Sequence, residues 1–126
     1  MSQHQTVLIV EDDAFLLKAY EHSFDQTLYD VTYAHDGEEA LALMKNTVPD
    51  LVILDLVTPK KSGLEVMKAM RSDPRLEHVK VIVATNIASE KDEKACTQLG
   101  ALRYMVKTNH SLQEIVVTAQ QVLLEK

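Results

Sequence analysis

Five short segments, Thr6–Val10, Val31–Ala34, Leu51–Leu54, Val79–Ala84 and Arg103–Val106, punctuate the chain, and most of their residues are apolar. Runs such as Thr-Val-Leu-Ile-Val and Leu-Val-Ile-Leu show no polar alternation, which suits strands buried on both faces. The stretches between them change period. Ala14–Phe24 brings Phe15, Ala19 and Tyr20 near one face with Leu16 and Leu17 beside them, which predicts a helix capped by Asp13. Asp36-Gly37-Glu38-Glu39 has the pattern of a capping box and opens a helix through Met44, with Ala40, Leu41, Leu43 and Met44 facing a core. Ser62-Gly63-Leu64-Glu65 starts a third helix with Val66, Met67 and Met70 inward, and Ser72-Asp73-Pro74 stops it. Ser89 caps a fourth helix that runs to Leu99, with Gly100 as the left-handed residue beyond it. Ser111-Leu112-Gln113-Glu114 is a second capping box. Behind it Leu112, Ile115, Val116, Ala119, Val122 and Leu123 form a long apolar stripe.

A strand-helix unit repeated five times predicts an α/β domain with a parallel sheet and helices on both faces. Its crossovers should be right-handed. Composition narrows the class further. The 126 residues are 46% hydrophobic and 25% charged, as in one soluble globular domain. A domain of this length buries roughly two-thirds of its unfolded surface and needs no staples. The net charge of −6 argues against binding nucleic acid, which calls for a basic face. No apolar run approaches a membrane span, and the polar Met1–Gln5 start is no signal peptide. Cys96 is the single cysteine, so no internal disulfide or Cys-based metal site exists. These features predict a cytoplasmic protein. The five histidines, His4, His22, His35, His78 and His110, lack ligand spacing and read as surface residues.

Polar residues stand at four strand ends: Glu11-Asp12, Asp55, Thr85 and Lys107. Strand C-termini of a parallel sheet share one edge, so these residues converge although they lie far apart in sequence. The second strand ends at Ala34 without such a group, which fits a margin position. Clustered carboxylates repel and raise one another's pKa. A hard divalent cation relieves the repulsion, and Mg²⁺ takes carboxylates, a carbonyl, waters and phosphate oxygens in an octahedron, for which the Val57 carbonyl is a candidate. Lys107 offers a point charge for Asp55 or for a phosphate oxygen. A carboxylate can attack phosphorus to give an aspartyl phosphate, and such transfer depends mainly on positioning and charge stabilisation.

Val10-Glu11-Asp12-Asp13, Asp55, Pro59, Gly63, Thr85, Tyr104 and Lys107, in that order on those strand ends, resemble the receiver domain of two-component response regulators. The resemblance covers essentially the whole chain, 1–126, with a core of about 6–125 and no output domain. It implies the doubly wound (βα)5 three-layer sandwich with strand order 2-1-3-4-5, the flavodoxin-like topology. It implies Asp55 as phosphoacceptor, Thr85 and Tyr104 as switch hydroxyl and switch aromatic, and Lys107 as the phosphate-binding lysine. Glu11, Asp12, Asp55 and the Val57 carbonyl would hold Mg²⁺, with Mn²⁺ as a substitute. Asp12 would be the direct ligand and Glu11 would act through water, although a shift of one residue along the acidic run stays open. The expected partners are a histidine kinase or histidine phosphotransfer protein, and a target protein on the face of Ser89–Leu99, Arg103–Val106 and Ser111–Glu125. Neither nucleic acid nor membrane is expected as a direct partner, and the chain should be a monomer or weak dimer. It should be a signalling module whose only chemistry is its own phosphorylation and dephosphorylation.

The chain departs from the family pattern at several places. Thr58 stands where Met is frequent, Asn86 where a small residue is usual, and Thr108 where Pro is usual. A cis Lys107-Thr108 bond would cost about 2.5–4 kcal/mol, so cis and trans both stay open at this stage. Val57 cannot orient a hydrolytic water through its side chain. The alternative function is a pseudo-receiver that signals by protein contacts alone. A dehalogenase-type hydrolase would need a second acid two residues past Asp55, where Val57 stands. A flavin phosphate would be repelled by the acidic first loop.

Overall fold

A computed structural model describes residues 4–125. Its elements run β1 (Gln5–Val10), α1 (Ala14–Ser23), β2 (Tyr29–Ala34), α2 (Gly37–Asn46), β3 (Leu51–Leu54), α3 (Gly63–Arg71), β4 (Lys80–Thr85), α4 (Glu90–Gln98), β5 (Arg103–Val106) and α5 (Leu112–Leu124). All strand pairs are parallel, in the order β2-β1-β3-β4-β5. The predicted doubly wound fold and strand order are both present.

The central strands divide their side chains between two cores with the period of two that a pleated strand imposes. Leu8, Val10, Val52, Leu54, Val81 and Val83 face one core with Met44, Met67 and Met70. Val7, Ile9, Leu51, Ile53, Ile82 and Ala84 face the other with Leu17, Tyr20 and the α5 stripe. Unbroken apolar runs were the right signature because each face of the sheet has its own helix layer. The register aligns Val10 with Leu54, Leu54 with Val83, and Thr85 with Val106. Residues just past these positions therefore emerge together at one sheet edge.

Local capping explains where most helices begin. Asp13 accepts from the amides of Phe15 and Leu16, and both Ser62 and Ser111 form complete capping boxes with Glu65 and Glu114. Asp36 accepts from the Glu39 amide, but the Glu39 carboxylate turns to the His35 amide instead of closing the box on Asp36. Gly100 has φ +89 after the end of α4, as expected.

The predicted first helix is present, and it packs through Leu17, Tyr20 and Phe24, which leaves Phe15 81% exposed. One inward-facing assignment needs correction. Leu43 is 38% exposed, because α2 packs through Gly37, Ala40 and Met44. Some boundaries also move. The second strand starts at Tyr29, where it pairs with Gln5. The second helix continues to Asn46, the fourth strand starts at Lys80, and the fourth helix ends at Gln98 with Leu99 as its cap. No cis peptide occurs among the described residues, so Lys107-Thr108 is trans.

Candidate functional site

Backbone pairing delivers each polar side chain to the sheet edge. The Asp55 amide donates to the Val10 carbonyl at 3.1 Å, and the Glu11 amide donates to the Ala34 carbonyl at 3.0 Å. The Lys107 amide donates to the Thr85 carbonyl at 2.7 Å. The ladders thus extend one residue beyond the strands and fix the residues that carry charge.

Lys107 Nζ donates to Glu11 Oε1 at 2.5 Å and to Asp55 Oδ2 at 2.8 Å. The other Asp55 oxygen accepts the Val57 amide at 3.1 Å, and the other Glu11 oxygen accepts the Asp13 amide at 3.2 Å. Glu11 and Asp55 are buried, whereas Asp12 is exposed. Carboxylate oxygens of Glu11, Asp12 and Asp55 lie within 4.8 Å of one another. Burial pushes the Glu11 carboxyl above its ordinary value, and the Asp55 charge adds to this, although the Lys107 bond pulls the other way. Burial works against the Lys107 ammonium, but its bonds to Asp55 and Glu11 outweigh that cost and raise its pKa. One ammonium against three carboxylates leaves the pocket negative. Oxygen donors alone, two held in place and one on the open side, fit a hard divalent cation of the Mg²⁺ type.

Thr85 is fully buried at the end of β4. Its hydroxyl accepts the Ile87 amide at 3.3 Å. Half-buried Tyr104 donates its hydroxyl to the Ile87 carbonyl at 2.8 Å. Burial, followed by nearby Cys96 and the α4 acids Asp92 and Glu93, pushes the Tyr104 phenol up to about 12. It therefore stays a neutral donor. The two predicted switch residues hold one loop residue between them. Ile87 gave no signal in the sequence, because it acts through its backbone.

Glu11, Asp12, Asp55 and Lys107 thus come together, and Thr85 and Tyr104 meet at the adjoining loop. Val57 is 62% exposed, and its amide is bound to Asp55. Asn86 and Thr108 are exposed.

The geometry agrees with sequence comparison. The model of the response regulator receiver domain matches residues 7–120, and the chain belongs to that family. It is 35% identical over 103 residues to the polar-differentiation response regulator DivK of Brucella anthropi, covering 82% of this chain and 84% of DivK. The phosphorylated cyanobacterial phytochrome response regulator RcpA superposes with a TM-score of 0.87 at 28% identity, over 98% of this chain and 96% of RcpA. The Mn²⁺-bound form of response regulator Rcp1 gives 0.81 at 26%, over 97% and 96%. The chain is therefore a receiver domain of two-component signalling. Among the described residues, no helix is long and apolar enough to cross a membrane.

Proposed function

We propose that the chain is a phosphorylation-activated switch of a two-component system or phosphorelay. A histidine kinase or histidine phosphotransfer protein brings a phosphohistidine to the sheet edge. An Asp55 oxygen bonds to phosphorus as the P–N bond breaks, and the leaving imidazole nitrogen keeps the electron pair and takes up a proton. The observation that carries this reading is the 2.8 Å contact of Lys107 with Asp55 inside an otherwise acidic pocket. A lysine so placed can pass from the carboxylate to a phosphoryl oxygen without leaving the site.

Asp12, Asp55 and the Val57 carbonyl would hold Mg²⁺ or Mn²⁺, with Glu11 acting through water. Glu11 is already engaged by Lys107 and the Asp13 amide, whereas Asp12 lies on the open side. The bound ion supplies charge neutralisation for the transferred phosphoryl oxygens. That Rcp1 takes Mn²⁺ and RcpA is phosphorylated supports a metal ion and a phosphoryl group as ligands here.

The new group adds about −1.5 to −2 charges. Thr85 turns its hydroxyl from the Ile87 amide to a phosphoryl oxygen, and Tyr104 moves inward. The α4-β5-α5 face changes shape and controls a separate target protein. The module acts in the cytoplasm, as a monomer or weak dimer, without touching nucleic acid. The net charge of −6 supports the last point.

Intact-mass measurement with acetyl phosphate and Mg²⁺ tests the assignment. The chain should gain one phosphoryl group, and Asp55→Asn or a chelator should prevent it. A label that persists in Asp55→Asn would refute Asp55 as acceptor. A chain that never takes up phosphate would be a pseudo-receiver.

A further inference from the structure

The two ends of α4 are held by different chemistry. Of its nine residues only Cys96 is buried, so packing alone fixes this helix weakly. At its N-terminal side the approach through Ile87 is secured by the Thr85 and Tyr104 hydroxyls. At its C-terminal side the work is done by Arg71, the last residue of α3. Arg71 Nε donates to the carbonyl of Leu99, the cap of α4, at 2.7 Å. Arg71 Nη1 donates to the carbonyls of Leu76, Glu77 and Val79 at 3.3, 3.0 and 2.9 Å. One guanidinium thus ties the end of α4 to the segment that leads into β4. The chain passes close over it, since a Cβ on Gly100 would lie 3.3 Å from a guanidinium nitrogen.

We propose that Arg71 is a positioning residue that fixes the C-terminal end of α4, so that the helix can be displaced only by its N-terminal end. The inference rests on the switch reading of Thr85 and Tyr104 given above. Its chemistry follows from the partners. A guanidinium stays protonated and backbone carbonyls do not titrate, so this anchor is insensitive to charge arriving at Asp55. The hydroxyl bonds at the other end exchange partners readily. A helix pinned at Leu99 and released at Ile87 tilts, with most displacement near Ser89 and least near Cys96. Arg71 thereby gives direction to a motion that a helix free at both ends would lack.

Amide hydrogen exchange by NMR on the full chain reads the two ends separately. Glu93 bonds back to Ser89 and reports the front, whereas Leu99 and Ala101 bond back to Ala95 and Cys96 and report the rear. Arg71→Met should speed exchange at Leu99 and Ala101 about tenfold or more, with less than about threefold change at Glu93. Tyr104→Phe should do the reverse. Arg71→Lys keeps one donor and should give a smaller rear effect, which preserves the test if Arg71→Met folds poorly. Adding beryllofluoride with Mg²⁺ to the unaltered chain should loosen Glu93 and leave Leu99 protected. The anchor is refuted if the Arg71 variants loosen both ends alike, if they leave Leu99 unchanged, or if beryllofluoride loosens both ends of the unaltered chain alike. If the variants act as expected but beryllofluoride moves no amide, the anchor stands and the phosphoacceptor reading fails.

Discussion

Helices α4 and α5 both flank β5, yet they are attached by opposite means. α5 buries Ile115, Val116, Ala119, Val122 and Leu123, and the Gln5 and Lys80 side chains donate to carbonyls in its last turn. Each large aliphatic side chain so buried contributes roughly 1.5–3 kcal/mol. α4 buries Cys96 alone and otherwise depends on hydrogen bonds worth about 1 kcal/mol each. Apolar burial has no means of sensing a charge placed at the sheet edge. On the proposed reading, the Thr85 hydroxyl has one, because it would exchange the Ile87 amide for a phosphoryl oxygen. The contrast separates a helix held by its core face from one that the proposed switch would move.

Truncation is the strongest way to break that contrast. Ile115→Ala should lower stability by about 2–4 kcal/mol, read as a lower denaturation midpoint at unchanged slope. Leu99→Ala, at the half-buried end of α4, should cost roughly 1 kcal/mol. Equal losses would put α4 in the core and erase the distinction.

The caps come next. Ser111→Ala removes the N-cap of α5 and should cost about 1 kcal/mol of global stability. Ser89→Ala removes the cap of α4 and should fray its first turn in hydrogen exchange while the midpoint barely moves, because that turn opens locally.

Cys96 offers a chemical probe of similar sensitivity. Burial, with Asp92 and Glu93 nearby, pushes its thiol up to about 11. Native protein should resist iodoacetamide near neutral pH, and labelling should stay slow with beryllofluoride, because the rear of α4 around Cys96 is the pinned end. Rapid alkylation of the resting chain would show that α4 is already open.

The smallest effect is electrostatic. The amide of Ser111 donates to the Glu114 carboxylate at 2.8 Å and holds it below the ordinary glutamate range. The unfolded chain therefore takes up that proton first. The bond contributes fully above the ordinary glutamate pKa and is lost as pH falls through the depressed value. The third residue of α4, Asp92, only donates its amide to Ser89. Lowering the pH from about 6 to about 3 should shift the Ser111 amide resonance and leave the Ser89 amide nearly still.

Much of this was legible in the residues themselves. The strands announced themselves as apolar runs, and Ser62, Ser89 and Ser111 marked helix starts through local chemistry. Parallel pairing then brought Asp55, Glu11, Asp12 and Lys107 to one edge by topology alone. What escaped depended on packing at a distance. Leu43 sits beside residues of the same character, and only the neighbouring layer decides which of them turns inward. Arg71 looked like any basic residue in a last helical turn, because its partners are backbone carbonyls as far away as Leu99. Periodicity cannot register a side chain whose role is to hold main chain.

Gly63 opens α3, and a Cβ there would lie 2.6 Å from the Asp55 carbonyl oxygen and 2.7 Å from the Leu56 Cα. Its amide also donates to the Leu56 carbonyl at 2.9 Å. Main chain meets main chain at this point, with no side chain between to take up slack. A shift of the segment that carries Asp55 therefore reaches the first turn of the third helix without lost motion, as through a rigid joint rather than a cushion.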